Sequence, residues 1–403
     1  WRLDKEEFFN VSWVNMLKLR SSYGKIGNSN TANYPYQSTY GFYNNGSFSG
    51  VGMTSLGSPE LTWESQKMFD VGVDFEIFKG RLSGTFEYFN RKSDGLIFSI
   101  TSPYQHGGTP SGSFTTTKNV GNMLNEGLEL SLTGQIVRKR DFNWNLTVNG
   151  TTFKNKMLQL PADQKFIESA PFAREEGKSV YDFYTRTWYG VDPENGRAMY
   201  LGVITYDPAN AETKIIQNSK GGQDTVTYNF NNARRDFIGQ TSIPKVYGSI
   251  VNNFTYKNFG IGFTLMFQIG GKVYDGVYNS LMTAGTAGRT FHTDAMNRWQ
   301  QPGDITNVPR LDDRQSANFN ATSTRWLVNA SYLSINNINL TYNLGKEIAS
   351  KFHASSARIF VSAENLRFFT ARKGMNVNGS FAGTTGDTYD AARIINFGIN
   401  LNF

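Results

Sequence analysis

The sequence predicts an all-β protein, an antiparallel transmembrane β-barrel, on three observations. Apolar and polar residues alternate with a period of two in about a dozen segments, many of them longer than the usual strand of roughly five or six residues. Aromatic residues make up 14% of the 403-residue chain and glycine contributes 40 residues, a composition that suits strands and tight turns better than helices. Short turns and long polar connections both occur, which is typical of membrane barrels.

The first clear element is a hairpin with its acidic side chains on one face. Two alternating segments, 69–77 and 82–88, flank a tight turn at Lys79-Gly80. In the first segment apolar side chains occupy every second position, and the positions between them hold Asp70, Gly72, Asp74 and Glu76. Successive residues of a strand point to opposite faces, so the acids share one face of the hairpin.

Further segments show the same alternation before the C-terminus. They are residues 128–132, 142–148, 261–269 and 338–344. Residues 333–335 alternate in the opposite phase to residues 338–344, so one extra residue near Asn336-Asn337 predicts a β-bulge.

The final strand has a strongly apolar face. Residues 395–403 alternate between apolar side chains and Asn or Gly, and the apolar positions are Ile395, Phe397, Ile399, Leu401 and Phe403. Such asymmetry predicts a strand that faces lipid on one side and polar surroundings on the other.

Strand length favours the membrane barrel over a soluble sandwich. Sandwich strands are usually short and meet in an aliphatic core, whereas membrane-spanning strands need roughly 9 to 11 residues. The turns at Lys79-Gly80 and Lys257-Asn258 are tight, and long polar connections are predicted at about 101–118, 207–238, 281–330 and 370–392. A large secreted β protein is the second interpretation.

Composition argues against several other classes of protein. The chain has no cysteine, which excludes disulfides, thiolate metal sites and a cysteine nucleophile. The net charge of +7 is spread along the chain, so no nucleic-acid partner is expected. No stretch approaches the roughly 18 to 20 apolar residues that a membrane-spanning helix needs.

The motifs of common enzymes and metal sites fail on residue identity. Segment 177–179, Gly-Lys-Ser, lacks the upstream glycine of a phosphate-binding loop, because Phe172 holds that position. The three histidines lie far apart in the sequence, at His106, His292 and His353. Segment 192–196 is expected to be a plain turn, since the twelve-residue calcium pattern is missing. We therefore expect no catalytic residues, no metal and no cofactor.

Ordered blocks along the whole chain carry a resemblance to a known family. The blocks are Leu17-Lys18-Leu19-Arg20-Ser21-Ser22-Tyr23-Gly24 with Gly27-Asn28, Leu61-Thr62-Trp63-Glu64, Phe69-Asp70-Val71-Gly72-Val73-Asp74, Asn119-Val120-Gly121, Glu126-Gly127-Leu128-Glu129-Leu130, Gly190-Val191-Asp192-Pro193-Glu194-Asn195-Gly196, Asn297-Arg298-Trp299, Tyr332-Leu333-Ser334-Ile335-Asn336-Asn337-Ile338 and Ser362-Ala363-Glu364-Asn365-Leu366. No block is specific alone. Together and in this order they make the chain resemble the SusC/RagA-type TonB-dependent transporters of Bacteroidetes outer membranes.

The resemblance implies an importer in the bacterial outer membrane. Members of this family have a periplasmic contact segment, a plug domain and a barrel of roughly 22 strands. About a dozen strands correspond to the C-terminal half of such a barrel, so we expect residues 1–403 to be its C-terminal part, without the plug and the N-terminal strands. The implied partners are a SusD-like surface lipoprotein that acts as a lid, TonB, a glycan or peptide substrate, the remainder of the barrel and the lipid membrane.

Two further expectations concern assembly. An open half barrel would leave two unpaired edges in lipid, where each free backbone group costs several kcal/mol, so the chain is expected to be a fragment of a complete transporter. The last strand resembles the signal by which outer-membrane barrels are recognised and inserted, with Phe397, Ile399, Leu401 and Phe403 as its side chains.

Candidate substrate contacts fall into two sets. The loop candidates are Tyr104, His106, Arg289, Phe291, His292, Trp326 and Arg372, because aromatic faces pack on sugars or peptide side chains and charged groups bind polar ones. The candidates expected to face the lumen are Asp74, Glu76 and Glu129. Ordinary loop packing is the alternative role of each loop aromatic, and Tyr88 and Tyr342 are expected in an interface belt.

Two other functions stay open at this point. A passive porin would have the same strands but no plug, and a secreted carbohydrate-binding β protein would need no membrane. The substrate also stays open between oligosaccharides and oligopeptides, because the family that the chain resembles serves both.

Overall fold

The structure is a computed structural model that describes residues 1–29, 31, 33–101, 108–109, 112–113, 115–162, 164–202, 211–283, 288–386 and 388–403. Within these ranges the chain forms 24 β-strands and a few short helices. Twelve of these strands belong to the main sheet. The predicted all-β class and the expected dozen strands are therefore confirmed.

The strands are numbered in chain order. Those of the main sheet are β1 (Val14–Asn28), β2 (Thr39–Asn45), β3 (Phe48–Leu56), β4 (Glu64–Ile77), β5 (Leu82–Thr101), β8 (Thr115–Arg138), β9 (Phe142–Gln159), β18 (Val246–Tyr256), β19 (Phe259–Ile269), β22 (Tyr332–Leu344), β23 (Ser356–Thr370) and β24 (Ile394–Asn402). The shorter strands are β6 (Gly108–Thr109), β7 (Gly112–Ser113), β10 (Phe166–Ser169), β11 (Phe172–Glu175), β12 (Asp182–Arg186), β13 (Trp188–Val191), β14 (Ala198–Leu201), β15 (Thr213–Gln217), β16 (Gln223–Thr227), β17 (Arg235–Thr241), β20 (Lys272–Tyr274) and β21 (Leu327–Asn329).

Backbone contacts divide the described chain into two compact units. Unit one comprises Trp1–Gly134, Thr151–Ile167 and Arg174–Val180. Unit two comprises Gln135–Gly150, Glu168–Ala173 and Tyr181–Phe403.

In unit one the strands β1, β4, β5 and β8 pair antiparallel in that order. The predicted turn at Lys79-Gly80 is confirmed, since it joins β4 to β5. The register places Arg20, Gly72, Glu87 and Glu129 in one row across the four strands. The opposite face of these strands presents exposed apolar side chains, among them Phe69, Val71, Phe86, Leu128 and Leu130.

A glycine on this polar face makes room for an arginine. A Cβ atom at Gly72 would lie only 3.0 Å from Cζ of Arg20. The missing side chain therefore leaves the space through which the Arg20 guanidinium reaches Glu87, to which it is hydrogen-bonded. Arg20 Nε also donates to Asp74 Oδ1 at 3.1 Å, and Lys18 Nζ lies 3.5 Å from Asp74 Oδ2. We call Lys18, Arg20, Asp74, Glu87 and Glu129 the polar ladder.

Two sequence blocks of unit one meet through a single amide. Asn119 Oδ1 accepts the Thr62 backbone N–H at 2.7 Å, and Asn119 Nδ2 donates to the Thr62 carbonyl at 2.8 Å. Trp63, the next residue, covers Gly27 so closely that a Cβ there would lie 2.7 Å from the indole ring. Asn119, Trp63 and Gly27 thus hold the ends of three segments that lie far apart in the sequence.

In unit two the strands β18, β19, β22, β23 and β24 pair antiparallel in that order. The tight turn at Lys257-Asn258 joins β18 to β19, as predicted. The β-bulge expected near Asn336-Asn337 is confirmed, because the register of β22 shifts between Ile335 and Asn337. Residues 395–402 pair with β23 as the final strand.

Connections of two lengths alternate along the main sheet. In unit one the β4–β5 turn is four residues, 78–81, whereas 35 residues, 29–63, separate β1 from β4. In unit two the β18–β19 turn has two residues, while residues 270–331 separate β19 from β22 and residues 371–393 separate β23 from β24. Because neighbouring strands are antiparallel, these long connections lie at one end of each unit. The tight turns lie at the other end, together with the eleven-residue connection 345–355 between β22 and β23.

The long connection predicted at 207–238 needs correction. The segment between β9 and β18 is longer than expected, 160–245, and it is folded rather than irregular. In unit two it contains a four-stranded sheet, β13-β14-β16-β15, and the pair β12–β17. Tyr200 of β14 is fully buried and donates its hydroxyl to the Asn318 carbonyl at 2.5 Å. Strands of four or five residues are too short to show a clear alternation, which is why the sequence did not reveal them.

The turn expected at 192–196 is confirmed, and a buried carboxylate organises it. Asp192 is fully buried, accepts the Glu194 N–H at 2.9 Å and receives Lys214 Nζ at 3.1 Å. Burial raises the pKa of Asp192, but hydrogen bonds from Tyr228, the Glu194 N–H and Lys214 outweigh it, so the pKa lies below its usual range. Burial, together with the bond to Asp192, raises the pKa of Tyr228 to about 12. The Asp192 carboxylate is therefore negatively charged, and the Lys214 ammonium beside it balances that charge.

The same turn packs on the block at 297–299. Gly196 has φ of +72°, and a Cβ there would lie 2.4 Å from the Trp299 ring. The Trp299 indole donates to the Pro193 carbonyl at 3.0 Å, and the Arg310 N–H donates to the Gly196 carbonyl at 2.9 Å. Gly196 therefore meets two requirements, a left-handed conformation and close contact with an indole ring.

Helices are short throughout the described ranges. They are α1 (Gly276–Leu281), α2 (Ser316–Phe319) and α3 (Lys346–Ser350), with single 3-10 turns at Leu3–Lys5, Phe230–Asn232, Thr293–Asn297, Asp313–Gln315 and Thr324–Trp326. None of the helices in the described part of the chain is long and apolar enough to cross a membrane.

Candidate functional site

The candidate site is a cavity among the long connections of unit two. Its volume is about 490 Å³. We call it the mouth cavity; the residues of its wall that matter here are Asp275, Tyr278, His292, Arg372, Lys373, Thr385 and Asp390. They come from α1 and its N-cap, from the segment before the 3-10 turn at 293–297, and from the β23–β24 connection.

Asp275 anchors the first of these segments. It follows β20 and caps α1, because its carboxylate accepts the Tyr278 N–H at 2.9 Å. Its side chain is only 5% exposed. The Thr385 hydroxyl lies 3.4 Å from Asp275 Oδ1 and accepts the Gly276 N–H at 3.1 Å, which ties the β23–β24 connection to the same helix end. A buried carboxylate is tolerated only when such partners are present.

Arg372 supplies the charge that Asp275 needs. Its Nη1 donates to Asp275 Oδ2 at 2.8 Å, and its guanidinium lies 3.8 Å from the centre of the Tyr278 ring. Arg372 lies two residues beyond the end of β23, so this pair joins the end of a main-sheet strand to α1. Removing one partner of a buried pair is costly, because the other charge is left without compensation.

Tyr278 and His292 form the opposite part of the wall. Burial and a 2.7 Å hydrogen bond to Asp294 raise the pKa of Tyr278 to about 12, so the phenol stays protonated and donates. The His292 ring packs edge-on against Tyr278 with 4.8 Å between ring centres, and its Nδ1 accepts the Asp294 N–H at 3.1 Å. Tyr278 is therefore held by Arg372 on its face, His292 at its edge and Asp294 at its hydroxyl.

The structure thus brings two of the loop candidates together, His292 and Arg372. Trp326 lies beneath them and is fully buried; its indole donates to the Ala321 carbonyl at 2.9 Å, and its ring centre is 5.7 Å from that of Tyr278. It supports the wall by packing and offers no surface to a substrate. Phe291 and Arg289 are exposed outside the cavity wall. Tyr104 and His106 lie outside the described residues.

Sequence reasoning missed Asp275, Tyr278, Asp294 and Thr385. An N-cap pattern, Asp followed by a helical turn, is the only local signal for Asp275, and α1 has just six residues. The pairing of Asp275 with Arg372, 97 positions later, depends on the register of β22 with β23. No motif in the sequence indicates that two residues 97 positions apart form this pair.

The acidic candidates of β4 and β8 lie on the polar face of unit one. Asp74 is paired with Arg20 and Lys18 in the polar ladder. Glu129 is exposed and stands directly opposite Glu87. Glu76 is half-buried near the tight turn, where Gly80 leaves space for its carboxylate. Among the described residues, no three His, Asp or Glu side chains converge on a point where a metal ion would bind.

The pattern of long sheet strands, tight turns and folded long connections matches one protein family. The family model described as TonB dependent receptor-like, beta-barrel, covers residues 8–366. The chain belongs to this family. The matched range contains the part of the mouth cavity wall between Asp275 and His292. The wall residues of the β23–β24 connection lie beyond it.

Relatives and solved structures agree with the assignment. TonB-dependent receptor P3 of Formosa agariphila is 27% identical over 428 residues, which covers 100% of this chain and 41% of the relative. TonB-dependent receptor SusC of Bacteroides thetaiotaomicron is 22% identical over 100% of this chain and 39% of its own length. A structure of the RagAB peptide transporter superposes with a TM-score of 0.82 and 23% identity, over 100% of this chain and 42% of that one.

The resemblance to SusC/RagA-type transporters is therefore confirmed, and so is the antiparallel barrel fold. The chain spans about two fifths of the length of the relatives it matches.

Replacing Arg372 by alanine tests how the mouth cavity is held. Asp275 would remain buried without its cation, and a loss of roughly 3 kcal/mol is expected for a broken buried pair. The β23–β24 connection should open more often, so trypsin should cleave the folded full-length protein after Lys373 about a hundredfold faster, since proteolysis follows the population of the open form.

Arg289→Ala is the control, because Arg289 is exposed outside the cavity wall. It should leave the rate of cleavage unchanged. Cleavage of Arg372→Ala at the rate of the unsubstituted protein would show that the pair with Asp275 does not hold the connection.

Proposed function

We propose that this chain is the C-terminal barrel part of an active outer-membrane transporter that imports oligopeptides. Three facts support this: the family assignment, the division of each unit into tight turns at one end and long connections at the other, and the mouth cavity among those connections. Outer-membrane barrels have short periplasmic turns and long external loops, so the cavity would face the outside. The protein binds and moves its substrate without changing it, as a transporter rather than an enzyme.

The mouth cavity favours peptides over neutral glycans. Sugar rings bind by stacking on open aromatic faces. Tyr278 is the aromatic ring best placed for this role in the cavity wall, but its face is covered by Arg372 and its hydroxyl is taken by Asp294. Lys373 and Asp390 are exposed in the wall and have no ion-pair partner among the described residues. They can bind the carboxylate and the amine of a short peptide.

The RagAB structures are those of a peptide transporter or importer, which agrees with this substrate class. Sequence identity there is 23%, so the likeness concerns the fold, and the substrate rests on the chemistry of the mouth cavity. Oligosaccharides are the second candidate, and a passive porin is disfavoured by membership of a TonB-dependent family.

We propose three protein partners for the complete transporter. A SusD-like surface lipoprotein would close over the long connections as a lid, and TonB would act through segments outside this chain. The remainder of the barrel would pair with the outer edges of β1 and β24, the terminal strands of the main sheet. On β1 it would pair outside the stretch at Leu19, whose N–H and carbonyl already bond to Trp1. Unpaired edges cost several kcal/mol for each exposed backbone group in lipid, so this pairing is required in a membrane.

Peptide binding and uptake test the proposed function. The double variant Lys373→Ala, Asp390→Ala in the full-length transporter should bind a short unmodified peptide about tenfold more weakly, because two charge-assisted contacts are lost. Calorimetry on purified protein measures the binding, and uptake of labelled peptide by cells should stop when TonB is deleted.

Arg358→Ala is the charge control, because Arg358 is exposed at the opposite end of β23 from the mouth cavity. It should bind the peptide normally. A neutral oligosaccharide that binds more tightly than the peptide, with the double variant unaffected, would contradict the substrate class. Uptake that continues without TonB would favour the porin.

The C-terminal side chains are also proposed as an assembly signal. Phe397, Ile399, Leu401 and Phe403 are all exposed on one face, and Phe403 is 84% exposed. Deleting Phe403 from the full-length protein should lower the amount of folded barrel in the outer membrane, measured by heat-modifiable migration on gels. Deleting Thr388 and Tyr389, which are both exposed, is the control. An unchanged amount of folded protein after Phe403 deletion would exclude the signal.

A further inference from the structure

An apolar groove lies on the outward face of unit two, close to the end with the long connections. Its volume is about 610 Å³, and it is a shallow depression that is open along the sheet face rather than an enclosed pocket. The apolar side chains of its wall are Ile250, Phe267, Ile269, Leu333 and Phe369, and we call it the rim groove. Acidic and basic side chains are absent from the described residues that line it.

The register explains why these side chains form one surface. Phe267 of β19, Leu333 of β22 and Phe369 of β23 stand directly opposite one another in a single row. Two residues further from the rim, a second row contains Ile250, Leu265, Ile335 and Arg367. Positions two residues apart share a face, so Arg367 lies on the same outward face as the rim groove.

An arginine on this face needs an explanation. Arg367 is exposed, and its guanidinium lies 5.5 Å from the centre of the Phe369 ring, which forms part of the groove wall. A cation on the lipid side of a barrel strand is costly at the midplane of the bilayer and costs little near the interface. Arg367 lies three residues from the end of β23, where such a residue can reach the head-group layer.

Two more cations lie around the rim groove. Lys245 immediately precedes β18, donates its N–H to the carbonyl of Ile269 at 2.9 Å and is exposed. Arg393 immediately precedes β24 and is exposed. It lies near Arg367, because the preceding carbonyl, that of Ala392, accepts a hydrogen bond from Asn365 of β23 at 3.0 Å. No ion pair joins Lys245, Arg367 or Arg393 to a carboxylate in the described ranges.

We propose that the rim groove binds a phosphorylated acyl lipid of the surrounding outer leaflet. An acyl chain would fill the groove, and Arg367 and Arg393 would hold the phosphate, with Lys245 at the opposite side. The proposal rests on the proposed function, because that function places this face in the membrane. It is independent of the transported substrate.

Charge supports this occupant. An acyl chain already lies in hydrocarbon, so packing against the groove adds contact but no hydrophobic driving force, and the cations select the lipid. Guanidinium groups bind phosphate oxygens in a bidentate manner, and the planar group of Arg367 is already oriented by Phe369. The long-connection end of a barrel lies at the outer leaflet, so the anions within reach are lipid phosphates.

Lipid retention by the full-length protein tests the proposal. Diphosphorylated lipid A and its dephosphorylated form are titrated into detergent-solubilised transporter, and bound lipid is counted by native mass spectrometry. The expected result is one tightly bound lipid A, with about tenfold weaker binding by Arg367→Gln, Arg393→Gln and by the dephosphorylated lipid. Inorganic phosphate at the same concentration should not compete.

Arg358→Gln is the matched control, because Arg358 is exposed in the same strand but at the end with the tight turn. It should retain lipid A normally. A second variant, Leu333→Trp, fills the groove and leaves the arginines in place; it should also weaken lipid binding. Heat-modifiable migration confirms that each variant is folded.

Equal lipid A retention by the double arginine variant and by Arg358→Gln would overturn the proposal, as would equal binding of the dephosphorylated lipid. Competition by inorganic phosphate would identify a free-anion site and overturn it as well. Peptide binding measured on the same samples separates the two proposals: unchanged peptide binding with failed lipid retention refutes the lipid site alone.

Discussion

The structure depends on one constraint: every backbone N–H and C=O of the main sheet must find a partner, because lipid offers none. Within each unit the antiparallel register satisfies this requirement strand by strand. Antiparallel pairing in turn fixes the alternation of tight turns and long connections, since successive strands return to opposite ends. The tight turns contain only a few residues, whereas the long connections contain enough residues to form further strands and short helices. In unit two the candidate site lies among these long connections.

The mouth cavity shows how the connections use the rigid strands. Asp275 and Arg372 lie at the ends of β20 and β23, and their pairing binds a six-residue helix to a strand of the main sheet. A short helix has little stability of its own, so the ion pair and the N-cap hold it in place. The turn at Asp192 is built on the same principle, with Lys214 as the cation. In both places a buried carboxylate organises several segments of chain, and neither requires a bound ion.

The main sheet could be predicted from sequence because its signal is local. Alternation at period two, the Lys79-Gly80 turn and the phase change near Asn336 are each read within a dozen residues, and all three are present in the structure. The folded connection at 160–245 and the burial of Trp326 depend on contacts between residues far apart in the chain, so local patterns could not reveal them. For the same reason His292 and Arg372 were recognised as candidates by residue type, while Asp275 and Tyr278, which position them, were not.

The central claim is that the main sheet is part of a closed membrane barrel, and amide hydrogen exchange tests it most directly. The full-length protein in lipid nanodiscs is compared at the backbone amides of β24 that point away from β23. Slow exchange is expected at these amides, similar to that of the interior strand β22, because a strand from the remainder of the barrel would pair with them. Exchange as fast as that of the exposed residues Tyr389 and Asp390 would contradict this pairing.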